Sequence, residues 1–197
     1  MVTRRSSILS GGASARLKPS PTVLLLVDFI NPMRFPGAED LVPDALEAAR
    51  ATARLKQRLS RRGVTAIYAN DNYGIWRSEF KDLLAACIGL PGARGEIASL
   101  LAPVEEDLTL LKPLHSAFHS TPLDHLLRQL RAHQLIIVGL AADMCVHLTA
   151  MDAYMRGYKV WVPADCTAAE NDELKASALR QMAQVLKCSV RASTSRL

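Results

Sequence analysis

Two short, unbroken apolar runs constrain this chain most: TVLLLV at residues 22–27 and LIIVGL at 135–140. Continuous runs of this length are the pattern of strands covered on both faces, as in a parallel sheet. Parallel neighbours need crossover connections, and the sequence supplies helical segments between further strand-like runs. Residues 44–62 place Leu46, Ala49, Ala53, Leu55 and Leu59 at helical spacing and stop at Gly63. VTAIYAN (64–70) reads as a second strand, and NDNYG (70–74) as a turn-rich loop. A short helix is expected around 77–88, and PGARG (91–95) breaks the chain again. DLTLL (107–111) forms a third strand leading into Lys112. Thr121-Pro122-Leu123-Asp124 fits a helix start, with Thr as cap and Pro at the first helical position. After the fourth strand at 135–140, residues 143–156 make a helix that Gly157 closes. YKVWVP (158–163) is a fifth strand, 171–186 a helix, and CSVRA (188–192) a sixth strand. Strands alternating with helices predict an α/β fold, a three-layer sandwich around a mainly parallel, Rossmann-like sheet.

Charge is distributed in a way that argues against nucleic acid. The net charge is +5, but Arg4, Arg5, Arg16 and Lys18 lie in the first twenty residues, and Lys187, Arg191 and Arg196 in the last eleven. No acid accompanies either group, which leaves 17 basic against 19 acidic residues between them. The body has no basic stripe with interleaved aromatics. No apolar run approaches the ~20 residues of a membrane span. The N-terminal stretch lacks the apolar core of a signal peptide. The expected organisation is a flexible basic arm over 1–20, one domain over 21–192 and a short tail over 193–197. Cys87, Cys145, Cys166 and Cys188 are far apart and form no C-x-x-C pair. Free thiols in a reducing cytoplasm are therefore expected.

Ligands of parallel α/β sheets sit outside the carboxyl ends of the strands. Strand one ends in Asp28, strand three in Lys112, and strand four in the turn from Gly139 to Cys145. Each residue alone has an ordinary structural explanation: a turn former, a solvated cation, a small core residue. Together they supply what acyl transfer needs. A thiol attacks as its thiolate, which a helix N-terminus and a nearby Lys favour, and a carboxylate can take the proton. The turn into a helix offers backbone N–H donors to an oxyanion.

At these positions the chain resembles the isochorismatase-like cysteine hydrolase superfamily, which includes nicotinamidases, carbamoylsarcosine-type amidases and isochorismatases. The resemblance covers roughly residues 21–192. It rests on LLLVDFIN (24–31), KPLHSAF (112–118), GLAADMCVHLTAMDA (139–153) and GYKVWVPADC (157–166). It implies a six-stranded parallel sheet, a triad of Asp28, Lys112 and Cys145, and a cis peptide between Leu140 and Ala141. The N–H groups of Ala141 and Cys145 would form the oxyanion hole. The resemblance also implies a dimer or tetramer, with no cofactor.

Two departures narrow the reaction. Nicotinamidases carry an Asp-x-His pair and a further His after the second strand, for a metal. Here that region reads NDNYGIWRSEF (70–80), without histidine, so no metal is expected. His115 and His119 are spaced i, i+4 but follow the third strand and lack a visible third ligand. Some isochorismatases lack the nucleophilic Cys, whereas Cys145 is present here, which favours chemistry at an amide-type C–N bond. The alternatives are a vinyl-ether hydrolase and a non-catalytic binding protein that kept the fold. Candidate pocket residues are Asn31, Asn72, Tyr73, Trp76 and Phe118, facing a small-molecule substrate. Arg77 and Lys81 could meet an anion at the crevice mouth but read as solvated surface charge. Cys166 reads as structural.

Overall fold

A computed structural model describes residues 17–77 and 79–195. Its sheet is built from β1 (Thr22–Val27), β2 (Thr65–Asp71), β3 (Leu108–Lys112), β4 (Gln134–Leu140), β5 (Lys159–Trp161) and β6 (Thr167–Ala168). The strand order is β3-β2-β1-β4-β5, and every pairing is parallel. β6 pairs with the end of β4, at Gly139 and Leu140, beyond the point where β5 leaves it.

The apolar runs behave as parallel strands should. Val23, Leu25, Leu26 and Val27 have no exposed surface, and Leu24 has 1%. Side chains alternate between two cores, as the two-residue period of a strand requires. Leu24, Leu26, Ile136 and Val138 pack with α1 (Ala38–Ser60), α2 (Phe80–Ile88) and α3 (Ala93–Leu100). Val23, Leu25, Val27, Leu135 and Ile137 pack on the other face with α4 (Leu123–Gln129), α5 (His147–Met155) and α6 (Asp172–Gln184). The result is three layers: helices, sheet, helices.

The structure departs from the sequence reading in four places. The sixth strand is Thr167–Ala168, not 188–192; the latter segment makes one isolated bridge, Trp161 with Ser189. Two backbone bonds, Val162 N to the Ser189 carbonyl at 2.8 Å and Ser189 N to the Val160 carbonyl at 3.0 Å, make that bridge. Side chains extend the hold: Trp161 Nε1 donates to the Arg191 carbonyl and Asp165 accepts from Ser193 N and Oγ, both at 2.6 Å. The tail therefore begins docked, since Ser193 is buried. α1 starts six residues before the expected 44, at Ala38, and carries Pro43 inside. A proline this near the start removes one early bond, and burial of Ala38 and Leu41 favours the additional turn. α3 occupies the stretch read as a break. Gly95 lies inside it because a Cβ there would stand 2.0 Å from the Leu90 carbonyl oxygen. The expected helix from 143 is a π-helical turn over Ala142–Val146, followed by α5 from His147. Of the expected arm, residues 1–16 lie outside the described residues, while Ser20 is fastened to the body through the Leu130 carbonyl at 2.7 Å.

Candidate active site

The carboxyl ends of β1, β3 and β4 bring three residues together from widely separated parts of the chain. Asp28 follows β1 with a left-handed backbone, φ 53°. That bend lets its Oδ1 accept a hydrogen bond from Asp71 N at 2.8 Å. Lys112 is the last residue of β3 and has no exposed side-chain surface. Its Nζ lies 2.7 Å from Asp28 Oδ2 and 3.7 Å from Cys145 Sγ. A second carboxylate, Asp71 at the end of β2, stands 3.9 Å from the same ammonium. Cys145 sits in the π-helical turn after β4, and the Leu140–Ala141 peptide is cis, as the resemblance implied.

Close strand contact makes this convergence possible. Gly139, near the end of β4, has φ 136°, and a Cβ there would stand 1.9 Å from the Val27 carbonyl oxygen. Only glycine lets β4 approach β1 at the point where Asp28 leaves the sheet. The Ser116-Ala117-Phe118 stretch anchors the segment after β3 onto α5. Ser116 Oγ donates to Asp152 at 2.5 Å, and Thr149 Oγ1 accepts from Ala117 N at 3.0 Å.

Burial and two neighbouring charges set the electrostatics of the thiol. Burial pushes the Cys145 thiol up to about 12, the Asp28 carboxylate adds to the rise, and Lys112 only partly opposes it. Burial also raises the Asp28 pKa, against the pull of Lys112. For Lys112, burial favours the neutral amine, but Asp28, Cys145 and Asp71 together outweigh it and raise its pKa. The site sets the thiol beside a buried Asp28–Lys112 pair, with the Asp28 side chain in hydrogen-bond contact with Cys145. The other cysteines are buried too, and burial lifts Cys87 and Cys188 to about 11 and Cys166 to about 12.

The thiol opens onto a pocket of ≈ 310 Å³ at the low end of the ~300–1,000 Å³ typical of small-molecule sites. Of the residues singled out in the sequence, Asp28, Asn31, Tyr73, Ala141 and Cys145 line it. Three other candidates lie outside its walls. The Asn72 side chain accepts from Gly74 N at 2.9 Å and shapes its own turn. Trp76 is 81% exposed. Phe118 is buried in the core under α4, α5 and α6, near the Tyr158 ring and under the Arg156 guanidinium. Arg77 is not among the lining residues, and Lys81 pairs with Glu79 at 2.7 Å.

Several wall residues were not singled out from the sequence: Phe35, Leu41, Asp71, Asp143, Met144 and Glu170. Asp71 could have been found by the same strand-end rule that found Asp28. His115, which the sequence offers only as half of an i, i+4 pair without a third ligand, lines the pocket with Nδ1 3.7 Å from Cys145 Sγ. The end of β2 contributes Asp71, the segment after it brings no imidazole, and among the described residues no group of three or more His, Cys, Asp or Glu could hold a metal. The donor set thus does not fit the metal site of nicotinamidases.

A parallel three-layer α/β sheet with a cysteine, a lysine and an aspartate meeting at its carboxyl edge defines a narrow class of protein, that of the isochorismatase-like hydrolases. The chain belongs to the isochorismatase family: the Isochorismatase domain model matches residues 22–193. It is 38% identical over 163 residues to the isochorismatase family protein YaaI of Bacillus subtilis, covering 83% of this chain and 89% of that one. It is also 38% identical over 87 residues to the ureidoacrylate amidohydrolase RutB of Methylorubrum extorquens; that match covers 44% of this chain and 35% of the relative. Among solved structures it resembles N-carbamoylsarcosine amidase from Thermoplasma acidophilum, with TM-score 0.69 and 24% identity over 91% of this chain and 99% of that one. At that identity the likeness concerns the fold. No helix among the described residues is long and apolar enough to cross a membrane.

Proposed function

We propose that this protein is a metal-independent cysteine hydrolase that cleaves a small amide-type C–N bond through a thioester. The observation that carries this is the placement of Lys112 Nζ, 2.7 Å from Asp28 and 3.7 Å from the Cys145 sulfur, at a pocket. Asp28 takes the thiol proton as the sulfur bonds to the carbonyl carbon. The N–H groups of Ala141 and Cys145 donate to the oxyanion. The oxyanion collapses, the C–N bond breaks, and protonated Asp28 returns its proton to the leaving nitrogen. Water then attacks the thioester, its proton passing to Asp28 and from there to the departing sulfur. Lys112 keeps its charge throughout and offsets the negative charge that moves between Asp28 and the sulfur. The match to an amidohydrolase supports amide chemistry over the vinyl-ether alternative.

The test is ammonia release from a panel of small primary amides and ureas, with acyl-enzyme mass read after rapid acid quench. Turnover in the native protein, lost in Cys145→Ala with the circular dichroism unchanged, supports the reading. Full activity in Cys145→Ala ends it, and pyruvate release from isochorismate that survives this substitution replaces it with ether hydrolysis. The family resemblance carries with it a dimer or tetramer, which light scattering of the purified protein would read.

A further inference from the structure

The walls of the pocket carry a pronounced charge bias. Asp71, Asp143 and Glu170 line it beside Asp28, and the lining includes no lysine or arginine. Lys112 lies behind the wall with its charge engaged by Asp28 and, more distantly, by Asp71. Asp143 and Glu170 form no ion pair among the described residues. Arg34 belongs to the neighbouring cleft, with Arg94, and Phe35 lines both. The negative field registers on a further wall residue: after burial, the charges of Asp28 and Asp71 contribute to holding the Tyr73 phenol above its ordinary pKa. Low-dielectric walls of one sign focus field lines and change local ligand concentration by about 10–10³-fold.

The remaining walls are apolar and aromatic. Phe35, Tyr73 and Met144 keep large apolar side chains partly exposed there, at 39%, 43% and 45%. An aromatic face and a carboxylate both attract an ammonium, and neither receives a carboxylate. Resting on the amide reading above, we infer that this site takes small uncharged or cationic amides and rejects anionic ones, with Asp143 and Glu170 as the specificity-determining residues. The carbonyl of such a substrate meets the Cys145 sulfur, while its far end lies among Asp143, Glu170 and the aromatic rings. An anionic substrate would place its charge against unpaired carboxylates, with only the imidazole of His115 as a basic group in the walls.

Alkylation of Cys145 tests this without requiring turnover. Iodoacetamide, iodoacetate and 2-bromoethylamine present neutral, anionic and cationic forms of one small electrophile. Rates at Cys145, read by peptide mass spectrometry, are divided by the rates of the same reagents with glutathione. The thiolate fraction cancels when two reagents are compared on one protein. The expected result is a preference for iodoacetamide over iodoacetate at least about tenfold above that of glutathione, with bromoethylamine favoured as well. The preference should shrink in the Asp143→Asn, Glu170→Gln double variant and at about 1 M salt, where the screening length falls to ~3 Å. A ratio equal to that of glutathione, or one unchanged in the double variant, overturns the inference. A parallel arm compares hydrolysis of butyramide with that of succinamate, its anionic counterpart. If neither amide turns over while alkylation keeps its charge preference, the amide reading fails and the charge selection stands.

Discussion

Replacing Lys112 with Met separates a structural account of the buried pair from a decorative one. The substitution keeps most of the side-chain stem and removes one charge from a site with no exposed side-chain surface. Asp28, 5% exposed, loses its partner at 2.7 Å but keeps the bond from Asp71 N. Breaking a buried pair from one side costs about 3–5 kcal/mol, because the other charge is left without compensation. Removing both charges, in Lys112→Met with Asp28→Asn, should cost roughly 0.5–3 kcal/mol less than the sum of the single changes. Urea unfolding, followed by circular dichroism, reads each value with its m-value checked for constancy. The penalty should also depend on pH. Burial already raises the Asp28 pKa above its ordinary 3.8, and losing the ammonium raises it further. Between the unfolded and folded values the native state binds a proton that the unfolded chain has released, so the variant loses stability as pH rises through that window. The single variant should therefore fall further below the native protein at pH ~8 than at pH ~5. A cost below about 1 kcal/mol, or single changes that add within ~0.5 kcal/mol, would refute this reasoning.

Three other outcomes follow from the same structure. Because the Cys145 thiol is pushed up to about 12, its alkylation by iodoacetamide should rise about tenfold per pH unit from neutrality to pH ~9, and a plateau below pH ~8 would contradict this. Gly139→Ala, which drives a Cβ against the Val27 backbone, should cost more than about 3 kcal/mol or prevent soluble folding. Gly157→Ala, with φ 82° and open space around it, should cost only about 1–2 kcal/mol, and equal losses in the two thermal melts would remove the close-approach argument. Trp76→Ala should leave melting temperature and turnover nearly unchanged, since the side chain is 81% exposed and outside the pocket wall; a tenfold loss in kcat/KM, about 1.4 kcal/mol, would place it in the site.

The parts of this molecule legible in its sequence are those set by local pattern. The buried strands β1 and β4 announce themselves as apolar runs, and the strand-end rule leads from them to Asp28 and Cys145, and from β3 to Lys112. The helix α3 was hidden because Gly92 and Gly95 read as breakers; one precedes the helix and the other serves a close backbone approach inside it. The strand β6 has only two residues, too few to leave a periodic signal. Asn72 and Trp76 neighbour Tyr73 in sequence, yet only Tyr73 reaches the pocket, because a tight turn with Tyr73 at φ 53° sends successive side chains in different directions. Glu170 and Phe35 belong to distant segments whose meeting depends on how β6 and the start of α1 are placed.

The burial of Cys87, Cys166 and Cys188, and the half-burial of Cys145, have a consequence for the life of the chain outside its native state. Before the sheet closes, each cysteine behaves as a free thiol with a pKa of ~8.5, reactive toward oxidants and disulfides. Once folded, Cys87 and Cys188 are lifted to about 11, and Cys145 and Cys166 to about 12. Nascent or partly melted molecules are therefore far more exposed to thiol damage than mature ones. Oxidative stress would then reach Cys87, Cys166 and Cys188 chiefly while the chain is being made or after it has begun to unravel, whereas Cys145, half-buried at the pocket, stays open to reagents small enough to enter it.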